Sequence, residues 1–159
     1  MKRRIQKRTG QERKRIRWDL YGPVIAAAVL GGIPFFLGKF IEFNSPGAFD
    51  SGAYVYSAKS VLEGARIGVD TVVSAKIGTL LLNMLGVAVF GYSDIGPKVV
   101  QLVLQLCAFV FMFAALRRAY GNIAAAVSVI VAATFLSAPV IAKFGNVKEQ
   151  YLTGYMLVG

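Results

Sequence analysis

Histidine is missing from this 159-residue chain, cysteine occurs once, and only eight residues are acidic. Each shortage excludes something. Without histidine the chain lacks the commonest general base, the commonest metal ligand and the usual near-neutral pH switch. Its one cysteine, Cys107, lies in an apolar stretch, so no disulfide framework supports the fold. Any chemistry must come from carboxylates, lysines, tyrosines or groups supplied from elsewhere, and the sequence offers no metal-ligand set. Charge as a whole is also scarce: 16% of residues are charged against 56% apolar. A water-soluble chain of this size could not cover so much apolar surface, so lipid is its natural solvent.

Net charge is +10, which by itself would suggest a nucleic-acid partner. Its placement argues otherwise. Nine of the 18 Lys and Arg residues (Lys2, Arg3, Arg4, Lys7, Arg8, Arg13, Lys14, Arg15 and Arg17) precede the first apolar run. A basic cluster before a span is the usual cytoplasmic anchor, and it holds anionic lipid headgroups. Nothing like a nucleic-acid-binding fold with interleaved aromatics follows. The predicted partners are membrane lipids, not nucleic acid, and residues 1–20 are predicted to form a cytoplasmic tail.

The apolar pattern predicts an all-α, polytopic membrane protein with three full spans, 21–41, 97–116 and 123–141, and the start of a fourth at 151–159. A run of about 20 apolar residues crosses a hydrocarbon core of about 30 Å. Gly22-Pro23 opens the first span and Pro34 marks a kink. The run is long for a cleaved signal peptide and has no small-residue cleavage site after it, which favours a retained anchor. Gln101 and Gln105, four apart, share a helical face that should point toward protein. Alanines in the third span suit close helix packing. Because the chain stops inside an apolar run, it is expected to be the N-terminal part of a longer protein.

Between the first two spans, loop 42–96 carries two shorter helices. One, over 50–63, presents Tyr54, Ala58, Val61 and Leu62 on one face; Asp50 or Ser51 is placed to cap it and Gly64 to end it. The other, 77–91, is too short to cross and is predicted to be juxtamembrane or re-entrant. With the basic tail inside, Arg117 and Arg118 also fall inside, while Asp50 and, in loop 142–150, Glu149 fall outside. A multi-pass bacterial inner or plasma membrane protein with a cytoplasmic N-terminus is expected.

The order of motifs carries a further signal: Phe49-Asp50-x-Gly52-x-Tyr54, a helix ending Glu63-Gly64, then Asp70, Lys76-x-Gly78, a short apolar helix, Phe90-Gly91, a span, Arg117-Arg118-x-x-Gly121, another span, and a loop with Glu149. This order resembles the start of the polyprenyl-phosphate-sugar-dependent GT-C glycosyltransferases, in the dolichyl-phosphate-mannose-protein mannosyltransferase and aminoarabinose transferase superfamily. The resemblance covers nearly everything after Trp18. It implies transfer of a sugar from a polyprenyl-phosphate donor to an acceptor protein, lipid or glycan, with Asp50 as the catalytic carboxylate. Ser51 stands where the family often has a second acid, and Ile77-Gly78 where it has two prolines.

Physically, sugar transfer needs an acceptor made more nucleophilic and a leaving phosphate stabilised. An ionised Asp50 can accept the acceptor's proton, help typically worth about 10²–10⁴-fold. Lys76 could offset charge on the phosphate, with Arg66 assisting. Tyr54, Asp70 and Glu149 complete the candidate substrate-binding set. No cofactor beyond the lipid-linked sugar is implied, and dependence on a divalent metal is left open. One carboxylate without a second suits a single inverting displacement. Each residue has a structural alternative: helix cap for Asp50, headgroup snorkelling for Lys76, interfacial anchor for Tyr54, ion-pair partner for Asp70, solvated loop residue for Glu149. The competing function is a segment of a transporter or membrane scaffold, which would place ionisable groups inside spans.

Overall fold

The computed structural model describes residues 18–45, 49–73 and 76–138. Within these the chain is helical, without a strand; a lone bridge between Ile67 and Thr71 pinches one turn. We number four helices: α1 (Trp18–Asn44, with a π-helical turn at Ala27–Gly31), α2 (Phe49–Leu62), α3 (Ile77–Phe90) and α4 (Ile95–Leu136). α1 and α4 are long and apolar enough to cross a membrane. Only 28% and 22% of their most apolar windows are buried. Their outward faces carry Leu30, Phe36, Phe40, Val110, Phe111 and Val131, all exposed.

α4 does not run straight. At Gly121 the backbone takes φ 87° and ψ 173°, a region open essentially to glycine alone, and the chain reverses. Contacts with α1 fix the direction of each limb. In limb 95–120, Lys98 reaches the carbonyl of Glu42 and Phe109 meets Phe35, so this limb runs antiparallel to α1. In limb 122–136, Asn122 meets Asp19, Ile130 lies by Gly31 and Ser137 by Gly38, so this limb runs parallel to α1. The result is a three-limbed antiparallel bundle. Its core joins Ala27 and Phe35 of α1 to Phe109, Ala126, Val129 and Ala133 of α4, with the Phe35 and Phe109 rings edge to face at 5.2 Å.

Both prolines of α1 leave a trace. Pro23 lies inside the helix instead of opening it, because the helix already runs from Trp18. A proline has no N–H for the carbonyl four residues back. Here that carbonyl belongs to Asp19, and the side-chain amide of Asn122 donates to it at 2.9 Å. Pro34 likewise offers nothing to the carbonyl of Leu30, and the helix widens into its π turn just before it.

The third limb corrects the sequence reading. It was expected to continue to residue 141, yet it ends at Leu136 with Ser137 as its C-cap. Ala138 precedes Pro139, and the residue before proline disfavours helical backbone. Fifteen residues rise about 22 Å, short of a full crossing. The segment expected to begin a fourth span, 151–159, lies outside the described residues.

α3, at 14 residues, is also too short to cross, as its sequence suggested. It packs hard against the start of α4: a Cβ on Gly86 would sit 2.4 Å from the nitrogen of Pro97, so only glycine permits this approach. α2 in turn packs on α3 through Val55, Ala58, Leu80 and Val87. The buried face of α2 is Ser51, Tyr54, Val55 and Ala58, a rotation from the face expected, since Leu62 is exposed and Val61 only half-buried.

Candidate functional site, a charged hub beside Asp50

Four ionisable side chains gather where α1 ends and α4 begins. Lys39 and Glu42, one turn apart in the last part of α1, pair at 2.6 Å with both side chains almost fully buried. Lys98, in the second turn of α4, pairs with Asp94 at 2.7 Å, and its ammonium also donates to the backbone carbonyls of Glu42 at 3.1 Å and Ser45 at 3.5 Å. Those carbonyls belong to the C-terminal end of α1, where intrahelical donors run out (the Glu42 carbonyl keeps one long bond from the N–H of Ser45, at 3.4 Å) and the helix dipole has its negative pole. Lys98 is thus the C-cap of another helix. Its three donors meet three acceptors on two elements.

Asp94 extends the hub to a third element. Its second carboxylate oxygen accepts a hydrogen bond from Ser51 in the first turn of α2. Two lysines and two carboxylates leave the cluster neutral, which is how charges are tolerated in a buried place. Below it, Gln101 and Gln105 continue the buried stripe of α4 down one face. The sequence predicted that face correctly. Glu42 Oε1 and Gln105 Oε1 have no hydrogen-bond partner among the described residues.

Asp50 stands beside this hub. It lies in the first turn of α2, exposed, with Ser51 next to it turned inward to Asp94. Since α2 begins at Phe49, neither Asp50 nor Ser51 is its N-cap, contrary to one expectation. Gly64 does end the helix, where the N–H of Ala65 closes onto the carbonyl of Ser60 at 3.0 Å.

The other candidates are not neighbours of Asp50. Arg66, Asp70 and Lys76 follow the far end of α2, separated from Asp50 by a 14-residue helix, about 20 Å long. Arg66 grips Asp70 through its guanidinium at 3.0 Å and its backbone N–H at 2.9 Å, closing an exposed turn. These bonds from Arg66 hold the Asp70 carboxyl below its usual range. Asp70 is therefore the partner of a basic residue within its own turn, where an interhelical partner was the alternative expected. Lys76 is exposed just before α3. Tyr54, one turn on from Asp50 in α2, is buried. Glu149 lies outside the described residues.

Deeper in the bundle, between α1 and both limbs of α4, is a cleft of about 470 Å³. Phe35, Phe36, Leu106, Phe109, Val110 and Phe113 form much of its wall, and none of its lining residues could act on a substrate. It can hold an apolar chain and do nothing to it. Among the described residues no group of three or more acidic or cysteine side chains could bind a metal ion.

No family model, curated protein or solved structure is similar to this chain.

Lys39, Glu42, Asp94 and Lys98 were missed as site residues because they flank apolar runs, where charge reads as a boundary marker. A usable signal existed: Asp94 and Lys98 lie four apart, and Lys98, Gln101 and Gln105 recur at helical spacing.

Proposed function

We propose that this chain is the N-terminal membrane module of a GT-C-type glycosyltransferase, one that moves a sugar from a polyprenyl-phosphate donor to an acceptor on the outer side of the membrane. Two crossings, built on 21–41 and 97–116, carry the module, with the shorter limb 122–136 packed beside them and the N-terminus cytoplasmic. The observation that carries this reading is the exposed Asp50, seated on a buried charged hub at one end of the bundle. Arg117 and Arg118 belong to the other end, beside Asn122 and Asp19, where the basic segment 1–17 joins α1. That asymmetry of basic residues favours the Asp50 end facing outward.

In this reading Asp50 accepts the acceptor's proton as the glycosidic bond to phosphate breaks. Lys76 and Arg66 lie a helix-length from Asp50, so neither contacts the phosphate at the bond that breaks, and that role falls to another element. The apolar cleft supports a lipid-borne substrate without specifying one. Asp50→Asn in the full-length protein, assayed with polyprenyl-phosphate mannose and related donors, should abolish transfer while membrane insertion is unchanged. Full turnover in that variant removes Asp50 from the mechanism, and retention of anomeric configuration in the product removes the single displacement.

One observation favours a second reading, a transporter or scaffold segment. The hub and the Gln101–Gln105 stripe place polar groups inside apolar helices, Gln105 about 15 Å along from Ile95. Ion or solute flux into proteoliposomes that depends on Glu42 or Gln105, together with indifference to Asp50→Asn, would decide for it.

A further inference from the structure

We propose that Lys98, Asp94 and Ser51 form a tether that positions Asp50, so that the first turn of α2 is held to the ends of two other helices. This rests on the reading of Asp50 as the functional carboxylate. The chain of contacts is continuous. The carbonyls of Glu42 and Ser45 hold the Lys98 ammonium, Lys98 holds Asp94, Asp94 holds the Ser51 hydroxyl, and Asp50 is the adjoining residue of the same turn.

The geometry explains why this device is needed. Asp50 is exposed, and among the described side chains the buried apolar ones of α2 are Tyr54, Val55 and Ala58, a turn further on. The first turn of a helix frays unless something outside it supplies partners. Ser51 is fully buried and is the one residue of 50–53 that turns into the hub. Lys39 completes the arrangement by pairing with Glu42, which leaves Lys98 free of the Glu42 carboxylate and available to Asp94 and the carbonyls.

A neutral hub of this kind is a poor anion site, since each ammonium already has its carboxylate. Its role is therefore mechanical: Lys98 and Asp94 are positioning residues, acting on chemistry through Ser51. The tether also places Asp50 relative to the bundle, so the carboxylate keeps one depth and one direction while a lipid-borne substrate approaches.

Hydrogen exchange of the full chain in lipid nanodiscs tests this. Ser51→Ala removes the hydroxyl and leaves the Lys98–Asp94 pair intact; Lys98→Met cuts the tether's link to the end of α1 and leaves Ser51 bonded to an unanchored Asp94. Exchange of amides 50–55 should rise about tenfold or more in each, the factor expected when a hydrogen bond to a charged group is lost, while amides 123–136 keep their rates. A nitroxide on Asp50→Cys, in a Cys107→Ala background, should gain mobility in both variants. Unchanged exchange at 50–55 in Ser51→Ala overturns the tether, as does an equal rise in both segments, which would mark general destabilisation. Exchange and label mobility report geometry alone. The tether can therefore fail while Asp50→Asn still abolishes transfer, and it can stand while Asp50→Asn is fully active.

Discussion

Replacing Lys98 with methionine keeps the length and apolar stem of the side chain and deletes only its ammonium. Three acceptors then lose the ammonium: Asp94, the Glu42 carbonyl and the Ser45 carbonyl. Removing one member of a buried ion pair costs about 3–5 kcal/mol, because the remaining charge is stranded. Asp94 keeps its bond from Ser51 and a side chain 29% exposed, so its share falls toward the lower end. One well-formed carbonyl bond at 3.1 Å adds about 1 kcal/mol, and the longer one at 3.5 Å adds little. The expected total is about 4 kcal/mol. Denaturant titration of the purified protein in mixed micelles, followed by circular dichroism, measures it. A second variant, Lys98→Met with Asp94→Leu, removes the stranded charge and should regain part of the loss. A loss under about 1 kcal/mol in the single variant would show that the pair behaves as a surface pair, screened by solvent, and would refute the account of the hub as buried.

Other outcomes follow from single contacts. Asn122→Ala should cost about 1–2 kcal/mol, since the Asp19 carbonyl that Pro23 cannot serve loses its amide donor; the same titration reads it. Gly86→Val forces atoms into the backbone of Gly96 and Pro97 and should destabilise by about 1–3 kcal/mol or more, whereas Gly52→Val, with open space around its Cβ position, should not show this clash. Breaking the exposed Lys59–Glu63 pair with Glu63→Gln should change stability by less than about 1 kcal/mol, in contrast to Lys98. The turn at 66–71 should loosen in acid. Its Asp70 carboxyl is held below the usual value by Arg66, so the bonds are fully present above about pH 4 and fail as pH falls through the lowered folded value. Local exchange of that turn against pH checks the sign; loosening on raising the pH instead would contradict it.

Much of the fold was legible because lipid imposes a simple rule: backbone groups must be satisfied inside the segment, so long apolar runs become helices. The first two apolar runs, the short α3, the turn at Gly121 and the inward face of Gln101 and Gln105 could all be read from spacing. Boundaries were less legible. Pro23 looked like a start because proline favours first turns, yet Asn122 repairs the bond that Pro23 breaks, and that partner is 103 residues away. Leu136 ends the third limb earlier than its apolar pattern suggested. Face assignment on α2 was right at Tyr54 and Ala58 and wrong at its end, because Ser51, Val55 and Ser57 are buried while Leu62 is exposed, which no local periodicity announces.

The candidate site divides the same way. Asp50, Arg66, Asp70 and Lys76 were found as polar residues in a loop, but their grouping assumed that one loop makes one site. A 14-residue helix between them makes two places of it. Lys39, Glu42, Asp94 and Lys98 were visible as letters and read as edges of spans. What joins them is the antiparallel pairing of α1 with limb 95–120, which sets the end of one helix against the beginning of another.

By itself, the sequence determined the solvent, the helices and the asymmetry of basic charge, since hydropathy, span length and net charge are sums over neighbouring residues. Only the tertiary structure decided that Lys98 caps α1, that Asp94 holds α2, and that Asp50 and Lys76 lie far apart. Those are distances between residues remote in sequence, and they are set by how helices pack rather than by what each helix contains.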